Sequence, residues 1–323
     1  MRAVAEITRR TLIDTELESL LQPYPGWETE WIHLGPGPAA VEGVRVTCGS
    51  GTITTLHTSS AGILRGMTAR ESLGLISSPD SAARPRSHAR PIGADSGVVL
   101  GPAAALDVYL PAGSNVLIIG ISTVPLAGED NLGQAGQPRL RGFDAAQGAL
   151  LSRCLASLEQ IRTLPSASAM ARDAQRRLRD QLKTIIPTLL REESPLSRPE
   201  RTRLQRHQAV IRACGFVDAH LRAPIALMDL CTAAGVSTRA LEYGFHDFYG
   251  LGPMAYVRNL RLCRVRHDLL DPNRDDHSVS GAARRWSFTH MGQFSHDYRA
   301  LFGEMPSMTL AAHQRAAKAA PVS

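Results

Sequence analysis

The stretch RRWSFTHMGQFSHDYRALFGEMPSMTL, residues 284–310, combines an apolar stripe with a row of polar side chains. At 3.6 residues per turn, Phe294, Tyr298, Leu301 and Phe302 fall within about 100° of one another, as in an amphipathic helix packed on a core. A solvated helix face explains any one of the polar residues, so the stretch alone leaves its function open. The face opposite the apolar stripe carries Thr289, Gly292, Gln293, His296, Arg299 and Ala300.

An earlier part of the chain repeats this pattern at an offset of 53 residues. Six positions match in one register, and all of them are apolar, Gly or Pro. An internal repeat of this kind indicates two copies of one supersecondary unit. Leu241, Phe245, Phe248, Tyr249, Gly250 and Pro253 correspond to Phe294, Tyr298, Leu301, Phe302, Gly303 and Pro306.

The first copy contains the parts of a helix-turn-helix unit. ALMDLCTAA predicts a short helix, Gly235 permits the tight turn that follows, and Val236 fills that turn. Ser237 is a suitable N-cap for the next helix. Its apolar residues point inward, which leaves Arg239, Tyr243 and His246 outward with Glu242 at the side.

The second copy has the same plan with different turn residues. VSGAARRW predicts the first helix, Ser287 and Phe288 form the turn, and Thr289 is the candidate cap. Between the copies, Pro253 opens a long connecting helix that ends at Asp271 and the proline after it. Both outward faces carry side chains that bond base edges and phosphates, and Gly292 lets the backbone approach DNA closely. Their duplication predicts DNA contact rather than a solvated face.

The charge distribution supports a polyanionic partner for the second half of the chain. The 323 residues carry a formal net charge of +6. Residues 1–160 hold 12 Lys/Arg against 15 Asp/Glu, whereas residues 161–323 hold 24 against 15. Arg dominates the basic half, and its planar fork suits phosphate and guanine. General Arg usage in a high-GC genome is the alternative explanation.

Residues 206–314 resemble the DNA-binding domain of AraC/XylS-family transcription regulators. The motifs that carry the resemblance are DLCTAAGVSTRALEYGF with GLGPMAYVRNLRL, and AARRWSFTHMGQFSHDYRALFGEMPSMTL. The resemblance implies seven helices, with two recognition helices placed in the major groove one DNA turn apart. In the family's contact pattern, the matching positions are Arg239, Glu242 and Tyr243 in the first helix, and Met291, Gly292, Gln293 and His296 in the second.

The predicted contacts divide into base recognition and phosphate binding. Arg239 suits a guanine, Gln293 an adenine, and His296 a base or a phosphate. Glu242 accepts from a cytosine amine or orients Arg239. Ser287 stands where the family has Gly, which costs about 1 kcal/mol if the turn requires positive φ. The predicted phosphate anchors are Arg258, Arg261, Arg284, Arg285 and Arg299.

The N-terminal half alternates short β-like runs with Gly/Pro clusters. This spacing predicts an antiparallel barrel or sandwich, followed by two amphipathic helices. The resemblance to regulators of this family extends more weakly to LGPGPAAVEG and VVLGPAAALDVYLPAGSNVLIIGIS, and implies a cupin-like β-barrel that senses a ligand or docks a partner. We therefore predict an α+β chain: a regulatory domain at 1–143, a helical hairpin at 144–193 for dimerisation or for covering the barrel, a linker at 194–204, and an all-α DNA-binding domain at 205–315.

The predicted function is an effector-responsive transcription activator, with a constitutive or partner-regulated DNA binder as the alternative. Double-stranded DNA, RNA polymerase, a small-molecule effector and a second copy of the chain are the expected partners. A cupin-type metal oxygenase needs converging His ligands with a close His-x-His pair, which the N-terminal region lacks, so neither an enzyme nor a cofactor or metal is predicted. The candidate effector-binding residues, each also explicable as core or rim, are Trp27, Trp31, His33, His57, Arg65 and Tyr109.

Cysteine usage and hydropathy indicate a cytoplasmic location. The five cysteines are scattered without CxxC pairs, which argues against a disulfide framework or a zinc site. No apolar run of 18 residues occurs, and the N-terminus lacks the apolar core of a secretory signal. The sequence therefore predicts a protein of the bacterial cytoplasm, associated with the nucleoid and not with a membrane.

Overall fold

The computed structural model divides the chain into two compact units. The first unit comprises residues 1–31 and 40–195, and the second comprises residues 32–39 and 196–323. None of the described helices is both long and apolar enough to cross a membrane. The structure describes residues 7–13, 26–38, 40–48, 51–79, 82–87, 90–123, 138–164, 168–190, 198–271 and 278–319.

Twelve strands are described, and they form two sheets. The seven-stranded sheet has the order β1-β3-β4-β11-β6-β9-β12, and the five-stranded sheet has the order β2-β5-β10-β7-β8. The predicted β-rich region is therefore confirmed, whereas the two separate sheets do not confirm a closed cupin-like barrel. The strands are β1 Ile7–Ile13, β2 Glu28–His33, β3 Ala40–Cys48, β4 Gly51–Thr58, β5 Gly62–Met67, β6 Ser72–Ser77, β7 Arg86–Ser87, β8 Arg90–Pro91, β9 Ser96–Leu100, β10 Ala105–Leu110, β11 Ser114–Ser122 and β12 Arg139–Gly142.

The seven-stranded sheet is buried on both faces. In β11, Val116 and Ile118 join a core shared with the five-stranded sheet, whereas Leu117 and Ile119 join a second core beneath two helices. Successive side chains of a strand point to opposite faces, so a nearly continuous apolar run suits a strand covered on both sides. The first unit therefore has three layers: sheet, sheet and helices.

The helical layer is the predicted hairpin. Helix α1 spans Ala145–Thr163 and helix α2 spans Ala169–Leu190. A capping box begins α1, in which the Asp144 carboxylate accepts from the Gln147 backbone N–H at 2.8 Å. Apolar residues of both helices, including Leu158 and Leu178, pack on the seven-stranded sheet. These contacts match the alternative role of covering the sheet, and the dimerisation role stays a prediction.

The second unit contains seven described helices. The first of them begins within the stretch predicted as linker, because residues 198–204 already have helical backbone. The helices are α3 Arg198–His220, α4 Leu227–Ala234, α5 Thr238–Tyr249, α6 Pro253–Leu270, α7 Val279–Arg285, α8 Met291–Phe302 and α9 Pro306–Ala319.

The internal repeat appears as two matched helices. Helices α5 and α8 each have 12 residues, and both end at a left-handed glycine, Gly250 with φ 71° and Gly303 with φ 77°. Pro253 starts the connecting helix α6 as predicted, and Asp271 ends it. Each helix-turn-helix unit thus consists of a short helix, a turn and a 12-residue recognition helix.

The predicted cap of the first recognition helix is confirmed, and that of the second is wrong. Ser237 Oγ accepts from the Ala240 backbone N–H at 3.3 Å. In the second unit the N-cap is His290, without a side-chain cap bond, and not Thr289. The second turn is one residue longer than the first: three residues separate the left-handed Ser287 from Met291, whereas two separate the left-handed Gly235 from Thr238. The 53-residue offset itself aligns His290 with Ser237.

Candidate nucleic-acid interface

The first recognition helix, α5, separates its packing residues from its predicted contact residues. Leu241, Phe245 and Phe248 are buried, whereas Arg239, Glu242, Tyr243 and His246 are exposed. The Tyr243 ring receives the guanidinium of Arg206 from α3, with Cζ 5.2 Å from the ring centroid. This cation–π contact limits the motion of the Tyr243 side chain on an otherwise open surface.

The second recognition helix, α8, has the same division. Phe294, Tyr298, Leu301 and Phe302 are buried. Met291 is half-buried, while Gly292, Gln293, His296 and Arg299 are exposed. A Cβ added to Gly292 would meet nothing within 4 Å, so this end of the helix leaves space for a close backbone approach.

A carboxylate on α8, Asp297, organises the polar face around it. Gln293 Nε2 donates to Asp297 Oδ1 at 2.7 Å, and His296 Nδ1 lies 3.6 Å from the same oxygen. Arg258 Nε on α6 lies 3.7 Å from Asp297 Oδ2. The Gln293 amide is therefore held with one N–H directed at Asp297, and its carbonyl oxygen is left for another donor. Gln293 and Asp297 are four residues apart, a spacing that brings helix side chains together.

The five predicted phosphate anchors fall into two groups. Arg258, Arg284 and Arg299 are exposed. Arg261 instead donates to the carbonyl oxygens of Leu221 and Ala223, at 3.0 and 2.6 Å, and burial lowers the pKa of its guanidinium. These bonds hold the end of α3, so the geometry gives Arg261 a structural role, and its phosphate contact stays a prediction.

Arg285 belongs to a buried network at the end of α7. Its Nη1 lies 2.6 Å from Asp268 Oδ2 on α6, and the Trp286 indole N–H donates to the same oxygen at 2.9 Å. Asp268 is 3% exposed, so its carboxylate needs both donors to offset the loss of water. The network fixes α7 and its tryptophan on α6.

The turn of the second unit uses positive φ at a serine. Ser287 has φ 65°, the left-handed conformation that the sequence analysis considered. Its hydroxyl donates to the carbonyl oxygen of Arg222, in the connection between α3 and α4. The Arg222 guanidinium lies 4.8 Å from the centroid of the Trp286 ring. The side chain that strains the turn therefore also ties this turn to the connection between α3 and α4.

A second buried network holds α8 and α9 on α6. Arg266 Nη1 donates to Glu304 at 2.7 Å and to the Tyr298 hydroxyl at 3.3 Å. The Tyr298 hydroxyl and Thr309 Oγ1 are 2.9 Å apart. Burial raises the pKa of Tyr298 to about 12, although the positive charge of Arg266 opposes the shift.

Residues of these networks escaped the sequence analysis. Asp297 had a detectable signal, since it follows Gln293 by four positions. Asp268 and Arg222 had none, because their partners lie on other helices and meet only in three dimensions.

The predicted effector-binding residues are distributed over different environments. Trp27 is buried between the sheets and donates to Ser72 Oγ at 2.8 Å, and Trp31 packs against the same core. Arg65 donates to Glu30 at 2.9 Å, and the Tyr109 ring lies 5.9 Å from the Arg86 guanidinium. None of these four lines either of two described cavities, one under α1 and one between α3 and α5, and their effector role stays a prediction.

The two candidate histidines are also separate. His57 lines a cavity under α1. His33 is buried in the second unit, with Nε2 3.0 Å from the Leu301 carbonyl oxygen and its ring stacked on Phe302 at 5.7 Å. Within the described ranges, no cluster of three His, Cys, Asp or Glu side chains is arranged to hold a metal ion.

Comparison with known proteins agrees with this geometry. Residues 230–312 match the family model described as a helix-turn-helix domain. XylDLEGF operon transcriptional activator 2 of Pseudomonas putida is 36% identical over 103 residues, 32% of this chain and 66% of the relative. The probable thc operon regulatory protein of Rhodococcus erythropolis is 34% identical over 98 residues, 30% of each chain. The matches thus span less than two thirds of these relatives.

One solved structure is similar over part of this chain. It is a probable AraC family transcriptional regulator from Rhodopseudomonas palustris CGA009, with 32% identity and a TM-score of 0.31, covering 32% of this chain and 96% of that one. The helices, turns and exposed polar faces define the second unit as a DNA-binding helix-turn-helix domain. This domain is of the AraC/XylS type, as the sequence resemblance predicted.

Proposed function

We propose that the whole chain is a sequence-specific, DNA-binding transcription regulator, and that it acts as an activator. The observation that carries the proposal is the duplicated recognition helix: two 12-residue helices with identical glycine ends and exposed polar faces. Each helix enters one of two successive segments of the major groove, one turn of DNA apart. Curated relatives over this region are named as operon activators, which supports activation.

The β-rich first unit is proposed as the regulatory part of the chain. A small-molecule effector, RNA polymerase and a second copy of the chain are the proposed partners, and the site of action is bacterial cytoplasmic DNA. No catalytic role is proposed, since the family match concerns DNA-binding regulators. The alternative is a regulator whose first unit no longer senses a ligand.

Selection of bound duplexes from a random library tests the proposal directly. The purified full chain is expected to select two half-sites about 10 base pairs apart, one for each recognition helix. Arg239→Ala should lose discrimination at one base pair, whereas Arg284→Ala, the matched control at an exposed phosphate anchor, should weaken all sequences alike. Selection of no consensus would overturn the proposal, and a uniform loss for Arg239→Ala would assign Arg239 to a phosphate.

A thermal-shift screen distinguishes an effector-responsive regulator from a constitutive one. Small aromatic and carboxylate metabolites are tested first, because the notable side chains of the first unit are aromatic and cationic. A compound that raises the melting temperature and alters DNA binding supports an effector. No shift, together with ligand-independent activation of a promoter, supports the constitutive alternative.

A further inference from the structure

The second unit includes a short piece of chain from the N-terminal half. Residues 32–39 belong to this unit, although the rest of it begins at Leu196. The part of this piece that the structure describes, residues 32–38, is the inserted segment. Within it, the His33 and Leu34 side chains are buried. The inserted segment is therefore a structural part of the DNA-binding unit.

The inserted segment caps the C-terminal end of the second recognition helix, α8. The last four carbonyl oxygens of an α-helix have no partner within the helix and need a donor from elsewhere. The Ala300 carbonyl oxygen accepts from the Gly37 N–H at 3.3 Å. The Leu301 carbonyl oxygen accepts from His33 Nε2 at 3.0 Å. Two of the four unpaired acceptors of α8 are thus satisfied by the inserted segment.

His33 makes the largest share of these contacts. Its Nε2 also lies 2.8 Å from the Gly37 carbonyl oxygen, within the segment itself. Since both neighbouring atoms are acceptors, Nε2 carries a proton and donates to each of them. The His33 ring stacks on Phe302, with ring centroids 5.7 Å apart and an interplanar angle of 20°. A Cβ on Gly303 would lie 2.9 Å from Pro38 Cδ, so the missing side chain lets the segment approach the end of α8 closely.

The inserted segment also contacts the connecting helix, α6. Asn259 Nδ2 donates to the Leu34 carbonyl oxygen at 3.2 Å. Cys263 Sγ donates to the His33 carbonyl oxygen at 3.8 Å. The segment therefore bridges α6 and the end of α8, and a helix held at this end is less free to tilt on its support.

We propose that His33 is a positioning residue for DNA recognition, which fixes the orientation of α8 and thereby the reading of the second half-site. Helix α8 has 12 residues and is about 18 Å long. Gln293 lies near its start and the inserted segment at its end, so a shift at the end tilts the helix and moves Gln293 relative to a base edge. Binding sites require side chains held within about 0.5 Å of the productive position. This role rests on the proposed DNA-binding function and is separate from the predicted effector contact of His33.

Fluorescence anisotropy with the full chain tests the proposal on duplexes obtained by the selection described above. Single mismatches are placed in one half-site or the other, and Arg239→Ala and Gln293→Ala identify the half-site that each recognition helix reads. His33→Leu removes the donor and should lose discrimination in the second half-site by about fivefold or more, while discrimination in the first is kept. His33→Gln retains an N–H donor and should discriminate nearly as the wild type does.

Two further variants separate positioning from a general loss of stability. Arg212→Gln is the matched control, because Arg212 Nη2 donates to the Ala234 carbonyl oxygen at 2.7 Å, at the end of a helix in the first helix-turn-helix unit. It should leave discrimination in the second half-site unchanged. Asn259→Ala releases the Leu34 carbonyl oxygen and should weaken discrimination in the second half-site alone. Asn259→Ala decides the question if circular dichroism shows that His33→Leu does not fold.

The outcomes that contradict the proposal are distinct from those that contradict the proposed function. Equal losses in both half-sites, or unchanged discrimination in the second, would overturn the positioning role while DNA recognition stands. A His33→Gln variant as impaired as His33→Leu would also overturn it, because the hydrogen-bond donor would not be responsible. A wild-type chain that prefers no duplex would overturn the proposed function, and the positioning role with it.

Discussion

The hydroxyl of Ser287 donates a hydrogen bond to the carbonyl oxygen of Arg222, and so links the turn of the second helix-turn-helix unit to the end of the first helix of the domain. Ser287 adopts φ 65° to make this bond. A non-glycine residue in the left-handed region costs about 1 kcal/mol, and a hydrogen bond returns about the same amount. The hydrogen bond of Ser287 thus offsets the conformational cost of a serine at a turn that favours glycine.

This balance predicts different effects for two substitutions at one position. Ser287→Gly removes both the strain and the hydrogen bond, so the free energy of unfolding should stay within about 0.5 kcal/mol of wild type. Ser287→Ala keeps the strain and loses the bond, so it should be destabilised by about 1 kcal/mol. Urea unfolding, monitored by far-UV circular dichroism, measures the stability of both variants and of the wild type. Equal stability of Ser287→Ala and wild type would show that the bond contributes nothing.

The Asp268 network predicts a larger effect. Asp268→Asn removes a buried charge that faces Arg285 and the Trp286 indole, and should destabilise the second unit by about 3 kcal/mol. Arg285→Gln should also destabilise it, whereas Arg284→Gln, at the exposed neighbouring position, should have little effect. Chemical unfolding of the three variants provides the measurement, and similar behaviour of the two arginine variants would contradict this account.

Asp297 is predicted to lower the affinity for DNA and to raise its sequence specificity. Asp297→Asn removes a negative charge beside Arg258 and weakens the hold on the Gln293 amide. Binding to unrelated duplexes should therefore strengthen, with a salt slope about one unit steeper, while discrimination at the base pair that Gln293 contacts should fall.

Fluorescence anisotropy on matched and mismatched duplexes at several salt concentrations measures both effects. Asp247→Asn is the control, because Asp247 lies on the first recognition helix and pairs with Arg203 at 3.4 Å. It should leave discrimination in the second half-site intact. Unchanged discrimination in Asp297→Asn would show that Asp297 does not orient Gln293.

Tyr298 predicts a loss of stability at alkaline pH. Its pKa is about 12 in the folded protein, above the ordinary value of 10.0, so the folded state favours the neutral phenol. The unfolded chain releases this proton first, and the stability that is present below pH 10 is lost progressively between pH 10 and 12. At pH 11 the loss is about 1 kcal/mol. The difference in unfolding free energy between wild type and Tyr298→Phe, measured from pH 9 to 11, should change by this amount, and a constant difference would contradict it.

The sequence alone predicted most of the fold of the second unit and less of the fold of the first. Helical periodicity, Gly235, Ser237 and Pro253 are local signals, and the structure confirms each of them. The β-rich character of the first unit was also predictable from local signals, namely turn residues and short apolar runs. The pairing of the strands into two sheets was not predictable in this way, because register depends on contacts between residues far apart in the chain.

The candidate nucleic-acid interface was likewise only partly predictable from the sequence. The exposed faces of α5 and α8 followed from a helical wheel, since exposure on a helix is periodic. The structural role of Arg261 did not, because it depends on carbonyl groups 40 and 38 residues away in the chain. Composition cannot distinguish an arginine that binds a carbonyl from one that is available to a phosphate.

The hairpin of α1 and α2 has a consequence for assembly. Its large apolar side chains, where described, are mostly buried against the sheet, with Met170 as an exposed exception at 65%. The outward side consists of small residues such as Ala149 and Ala156, and of charged residues such as Arg176. A dimer formed through this side would bury little apolar surface and would dissociate on dilution. Pairing of two copies through this side would therefore depend on protein concentration.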